Sequence, residues 1–267
     1  MTLFRLNDAG SSFHDLLTSQ YPNLFVNPLD PGTTLAEKQS MLQSVPHGTT
    51  ILALRYRDGV VICGDRRATE GYTISERRIE KVYKTDETSA IAISGAAGAC
   101  IELTRLFQVE LEHYEKLEGT LLSMEGKANK LAQMIKANLP MAMQGLVVVP
   151  IYAGYDVKRK TGRIFKYDIA GGRYEERAYY ATGSGGRDAK GTLKRLYQPD
   201  LKSDAATRIA LEAIYDAAES DVATGGPDML RGIFPNVKVI DKKGVKDVPD
   251  DTVKAVYEDM IAQLGGK

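Results

Sequence analysis

The sequence contains no tryptophan, two cysteines and three histidines in 267 residues, and its 35 basic side chains are offset by 35 acidic ones. Each shortage removes a class of function. Cys63 and Cys100 have no second Cys or His at zinc-ligand spacing, so they make neither a disulfide framework nor a zinc site and read as reduced, buried thiols. A formal charge of zero argues against a nucleic-acid or anionic-membrane partner, whose affinity rests on clustered Lys and Arg. No apolar stretch approaches the ~18 residues of a membrane span, and MTLFRLNDAG at the N-terminus lacks a basic region followed by an apolar core. The expectation is a cytoplasmic protein with no metal and no cofactor. Two of the histidines, His14 and His47, lie in an irregular leading segment; His113, in ELEHYEKLE, reads as part of a solvated acidic helix face. Any acid–base chemistry therefore needs another base.

What is present divides the chain at residue 48. Residues 1–48 hold four of the ten prolines (Pro22, Pro28, Pro31, Pro46), the breaker-rich run NPLDPGTT and only short apolar clusters, which reads as an appendage. Its formal charge is −2, leaving +2 for residues 49–267. From Thr49 the pattern is regular. TTILALRY, the Asp58-Gly59 turn and VVICG predict a hairpin, and KVYK, TDETS and AIAISG a second strand pair. Ala97, Cys100, Leu103, Phe107, Leu111 and Tyr114 recur at helical spacing, and Met124, Ala128, Leu131, Ile135 and Leu139 mark a second helix ending near Pro140. Strands are predicted in LVVVPIYAGYD, GRIFKYDIA and ERAYYATG, helices over 187–197 and 203–220, a closing hairpin in VKVIDKKGVKDV and a last helix through Val253, Val256, Tyr257, Met260 and Ile261. Hairpin-linked strands with helices arriving in pairs suit two antiparallel sheets packed face to face under outer helix layers, an α+β domain of four layers.

The Gly48-Thr49 bond sits where the irregular segment meets the first strand. A cut there gives Thr49 both a hydroxyl nucleophile and its own base, because a free α-amine has a pKa of about 7.7–8.0 where a Lys amine sits near 10.4. Gly48 suits the cut by allowing a strained turn and leaving its carbonyl open. Asp65, at the end of the second strand, and Lys81, ahead of the third, can project from neighbouring strand ends toward Thr49; an ammonium there lowers the α-amine pKa, while the carboxylate holds the Lys in place and charged. Gly95, between a strand and a helix, can offer its N–H to a developing oxyanion. TGSGG at 182–186 lacks the spacing of a phosphate loop. The Arg66-Arg67 and Arg77-Arg78 pairs read as solvated or interface charges.

GTTILAL, GDRRAT, EKV, AIAISG followed by AAG, TGSGG and AAESDVATGG together resemble a proteasome β-subunit of the actinobacterial type, in order and at the family's spacings over residues 49–267. The resemblance implies an N-terminal nucleophile hydrolase fold, a four-layer αββα sandwich. It implies a threonine endopeptidase with Thr49 as nucleophile after self-removal of residues 1–48 at Gly48-Thr49. Asp65 and Lys81 would be its supporting pair and Gly95 N–H the oxyanion donor. Ser184 and Asp221 match polar residues around the Thr amine, and Thr224 stands where the family usually has Ser, keeping a hydroxyl. Thr69 and Ala97 match positions whose backbones pair with an extended substrate; Ala68, Ile93 and Ala97 match positions near the primary specificity pocket, all apolar, which favours cleavage after apolar residues. The implied partners are α-subunits and other β-subunits in stacked heptameric rings, an ATPase ring acting through the α-ring, and unfolded or tagged polypeptides as substrate. Self-cleavage itself needs another proton acceptor, such as a water, because the precursor nitrogen is an amide. The alternatives are a non-catalytic structural β-subunit and an uncaged amidohydrolase of the same fold acting on small amides.

Overall fold

The computed structural model describes residues 48–265. The leading segment read as an appendage lies outside them, apart from Gly48. The first sheet has the order β10-β1-β2-β11-β12 and the second β5-β6-β7-β8-β9; all pairings are antiparallel. Here β1 is Thr50–Tyr56, β2 Gly59–Gly64, β5 Val82–Asp86, β6 Ser89–Gly95, β7 Val148–Asp156, β8 Thr161–Tyr167, β9 Arg173–Glu176, β10 Tyr179–Gly183, β11 Asn236–Asp241 and β12 Gly244–Asp247. A short separate hairpin, β3 (Ala68–Glu70) with β4 (Thr73–Glu76), joins the two halves of the leading strand quartet.

Alternation along the central strands sets the layers, because successive side chains point to opposite faces. In β1, Leu52 and Leu54 join a cluster with helix residues, while Ile51 and Ala53 face the other sheet; in β2, Val61 and Cys63 take the helix side and Val60 and Ile62 the inner side. The second sheet mirrors this, with Ile91, Ile93, Tyr152 and Phe165 outward and Ala90, Ala92, Ile151, Ala153 and Ile164 inward. Both faces of these strands are covered, which is why TILALRY and SAIAISG are almost continuously buried. Three helices, α1 (Ala97–Glu118), α2 (Met124–Ala137) and the short α3 (Leu139–Ala142), follow β6; the first two cover the second sheet. The first sheet is covered by α4 (Gly186–Leu196), α5 (Ser203–Ser220) and α6 (Asp250–Gly265). The closing helix thus adds to one pair: Tyr257 stacks on Phe234 at 6.4 Å and bonds Leu211 O at 3.1 Å.

Two elements differ from the pattern read in the sequence. ERAYYATG forms a strand only over Tyr179–Gly183, β10 of the first sheet; its Glu176 is the last residue of β9, a strand of the second sheet that precedes the segment, and Ala178 O accepts from Arg55 N on the new sheet at 2.8 Å. The second helix stops at Ala137, and Pro140 sits in the first turn of α3, where its missing N–H costs no intrahelical bond. The Gly119 C-cap of α1 is left-handed, at φ 65°, as expected of a glycine helix stop.

Candidate active site

Asp65 follows the last residue of β2 and is fully buried. Its Oδ1 accepts from Thr50 N (2.8 Å) and Lys81 Nζ (2.7 Å), its Oδ2 from Arg67 N (2.8 Å) and Gly225 N (2.9 Å). Lys81, immediately before β5, is 5% exposed. Its three ammonium protons meet three acceptors: Asp65 Oδ1, Gly48 O at 3.1 Å and Arg67 O. The two residues lie across the sandwich, not on neighbouring strands of one sheet, since β2 and β5 belong to different sheets. Burial pulls the Lys81 pKa below its ordinary value, and the adjacent Asp65 charge opposes that shift without overturning it.

The bond they converge on is Gly48-Thr49. Thr49 is 5% exposed, and its hydroxyl donates to Gly48 O at 2.6 Å, the same oxygen that Lys81 contacts. A Cβ on Gly48 would fall 2.6 Å from Ala223 Cβ, 2.8 Å from Ala223 O, and against Thr69 Oγ1. The residue there must be glycine for space.

Ser184, Asp221 and Thr224 come together on the opposite side of Thr49. Thr49 N donates to Ser184 Oγ (3.3 Å), Ser184 N donates to Thr49 O (2.8 Å), and Ser184 Oγ lies 2.5 Å from Asp221 Oδ2. Thr224 Oγ1 donates to Asp221 Oδ2 at 2.5 Å and accepts from Thr50 Oγ1 at 2.6 Å, while Gly185 N donates to Thr50 Oγ1 at 2.9 Å. Threonine in place of serine therefore keeps the hydrogen bond. Thr50 is a member of this network that sequence reasoning missed, although it stands next to the residue singled out. The glycines of TGSGG have a steric reason: a Cβ on Gly183 (φ 98°) would strike Thr49 O, and one on Gly185 would lie 2.6 Å from Thr50 Oγ1.

Beside Thr49 and Lys81 opens a narrow cleft that gathers Ala68, Ile93, Gly95 and Ala97 with Ile79, Glu80, Tyr83, Cys100 and Ile101. The sequence offered a signal for Cys100 and Ile101, which follow Ala97 by three and four residues and so share its helix face. Burial pushes the Cys100 thiol up to about 12, and burial with the Glu80 charge takes Tyr83 to about 12. Gly95, at φ 127°, has no room for a Cβ against Val147 O. Ile93 N donates to Lys81 O at 3.0 Å; Gly95 N, two residues along the same strand, points the same way but beyond the start of β5, toward the cleft. Behind it, α1 begins with no side-chain cap and no acidic residue in its first turn, leaving its positive end uncompensated. Thr69 lies on β3, which among the described residues is paired on one edge only, by β4. Arg67, read as half of a solvated pair, contributes its backbone N–H and C=O to Asp65 and Lys81, and its guanidinium bonds Val222 O at 2.9 Å. His113 is exposed on α1.

Two sheets face to face between helix layers, with a Gly-Thr bond at the head of a central strand, define the sandwich of the N-terminal nucleophile hydrolases. The chain belongs to the proteasome subunit family, whose family model matches residues 45–230. It is 59% identical over 217 residues to the "Proteasome subunit beta" of Acidimicrobium ferrooxidans, covering 81% of this chain and 80% of that one. To the "Proteasome subunit beta" of Acidothermus cellulolyticus it is 53% identical over 256 residues, 94% of this chain and 87% of the relative. A match that long runs into the first 48 residues.

Proposed function

We propose that the chain is a β-type proteasome subunit that matures by self-cleavage at Gly48-Thr49, residues 1–48 being its prosegment and 49–267 its catalytic domain. The mature form is a threonine-type endopeptidase acting on unfolded polypeptides. The observation that carries this reading is the meeting of Thr49 Oγ1 (2.6 Å) and Lys81 Nζ (3.1 Å) on the carbonyl oxygen of Gly48, inside a buried site.

In the precursor, Thr49 Oγ bonds to the Gly48 carbonyl carbon, the C–N bond breaks, and the nitrogen gains the proton that the hydroxyl gives up. Water then hydrolyses the ester, releasing a Gly48 carboxylate and restoring the hydroxyl. In the mature enzyme the α-amine accepts the hydroxyl proton as Oγ attacks a substrate carbonyl, and water again resolves the acyl-enzyme. Lys81, held by Asp65, keeps a positive charge near the amine and lowers its pKa. Ser184, oriented by Asp221, contacts the nitrogen. Gly95 N–H and the uncapped end of α1 stabilise the oxyanion. The backbones of Thr69, on β3, and of Ala97 pair with the extended substrate, and the cleft of Ala68, Ile93 and Ala97 receives an apolar side chain. Assembly with α-type and further β-type subunits in stacked rings, an ATPase ring outside them and a cytoplasmic setting complete the reading.

The test is the intact mass and the peptidase activity of wild type and Thr49→Ala, each co-expressed with a matching α-type subunit. Wild type is expected to begin at Thr49 and to hydrolyse peptides; Thr49→Ala keeps residues 1–48 and hydrolyses none. Retention of the segment by assembled wild type, or its loss at the same bond from the variant, defeats the self-processing assignment.

A further inference from the structure

β1 has Thr49 just before its start and Arg55 near its other end, about 20 Å away at the usual rise per residue. At that remote end a second, open cleft of about 470 Å³ is lined by Arg55, Arg159, Thr161, Gly162, Arg163, Glu175 and Arg177. It exists because the chain changes sheets at Arg177-Ala178, leaving a notch between β1, the β7–β8 turn and the end of β9.

The arginines around it are not equivalent. Arg163 is 4% exposed and fully engaged: it bonds Glu175 through Nε (2.7 Å) and Nη2 (2.5 Å), Asp156 at 3.1 Å and Glu125 at 2.8 Å. Arg173 shares Glu125 at 2.8 Å. Arg55 meets only neutral acceptors, Thr161 Oγ1 at 2.7 Å and Arg177 O at 3.1 Å, and its Nε is buried with no partner among the described residues. Arg177 forms no ion pair among the described residues, and Arg159, 61% exposed, reaches Asp156 only at 3.9 Å. In and behind the cleft, five guanidiniums thus share three carboxylates, each of which bonds Arg163, with Glu125 also bonding Arg173. Two positive charges and a buried fork N–H remain unmatched around a space open to solvent. Guanidinium pairs of this kind suit the planar or tetrahedral faces of oxyanions, and the surplus of two suits a dianion.

We propose that this cleft binds a small phosphate-bearing ligand, with Arg55 and Arg177 contacting the phosphate oxygens and Arg159 attracting it from the rim. The site is separate from the Thr49 machinery, so it stands or falls independently of the peptidase reading. The experiment is calorimetric titration of the full chain with pyrophosphate, inorganic phosphate and acetate at one fixed ionic strength, without divalent metal, because screening otherwise mimics competition. Saturable binding is expected for pyrophosphate, weaker binding for phosphate and none for acetate. Arg55→Met and Arg177→Gln are each expected to weaken pyrophosphate binding by about tenfold or more, the loss of a charge-assisted hydrogen bond. Arg177 is exposed, so its variant folds and keeps the test valid if Arg55→Met does not. Arg55→Lys, which keeps the charge but loses the fork, should bind between wild type and Arg55→Met. No saturable binding, acetate binding as tight as pyrophosphate, or affinity unchanged in both Arg55→Met and Arg177→Gln overturns the proposal.

Discussion

At Gly48 a single missing methyl group decides whether the cleavable bond fits. A Cβ there meets Ala223 and Thr69, both on segments that also hold the site together, so neither is free to withdraw. Gly48→Ala is expected to displace the carbonyl from Thr49 Oγ1 and Lys81 Nζ and to slow processing by at least an order of magnitude, about 1.4 kcal/mol of barrier. The check is the fraction of precursor remaining over time after assembly; unchanged kinetics reject the steric account. Lys81 makes a different kind of prediction. Its proton is held less tightly in the folded protein than in the unfolded chain, because burial outweighs the help from Asp65. Below the folded pKa both states carry the proton and the full desolvation cost is present. As pH rises from there toward 10.5, only the unfolded chain keeps it, so the group's contribution to stability improves across that window. The difference in unfolding free energy between wild type and Lys81→Met should therefore shift in favour of wild type from neutral pH toward 10.5. Urea titrations at several pH values measure it, and a flat difference contradicts the direction of the shift.

The elements show what a linear sequence reveals and what it conceals. The apolar runs in TTILALRY and AIAISG with the turns that bound them, and the three- and four-residue spacing after Gly95, are local signals, and β1, β6 and α1 follow them closely. Thr49, Asp65 and Lys81 were legible as chemistry, but their junction across two sheets is a product of packing, since the pairing of β2 with β11 and the stacking of one sheet on the other leave no trace in neighbouring residues. ERAYYATG looked like one strand because the change of sheet at Arg177-Ala178 breaks no local rule. The β3–β4 hairpin was hidden by short, exposed strands with little periodicity. Thr50 escaped for another reason. Its role is to link β1 to the loop after β10 through a chain running from Gly185 N to Thr50, Thr224 and Asp221. Thr50→Val keeps the shape and leaves the Gly185 N–H without its buried acceptor, so a loss of about 1–3 kcal/mol is expected. Chemical denaturation of the variant reads it directly; stability within a few tenths of wild type shows that the chain bears no load.

For the whole molecule, neutrality is a property of the full chain and not of residues 49–267. The precursor carries 35 charges of each sign, whereas residues 49–267 alone have a surplus of two positive ones, counted from the same sequence. Processing is expected to move the chain toward the basic side of its sequence pI near 6.8, and isoelectric focusing of wild type beside Thr49→Ala should resolve the two forms. A single shared position would mean that the cut is elsewhere or does not occur. The cut also has a consequence for the memory of the fold. The ladder of β1 begins with Thr50 opposite Gly183, and Thr49 is fastened by its own carbonyl to Ser184 N. The bond proposed to break is thus one residue outside the paired framework, and no rung of either sheet would be spent with it. Maturation by the proposed cut would then be an irreversible record written in the covalent chain but not in the architecture: no strand pairing depends on the bond, and what the cut would change is the chemistry of one nitrogen.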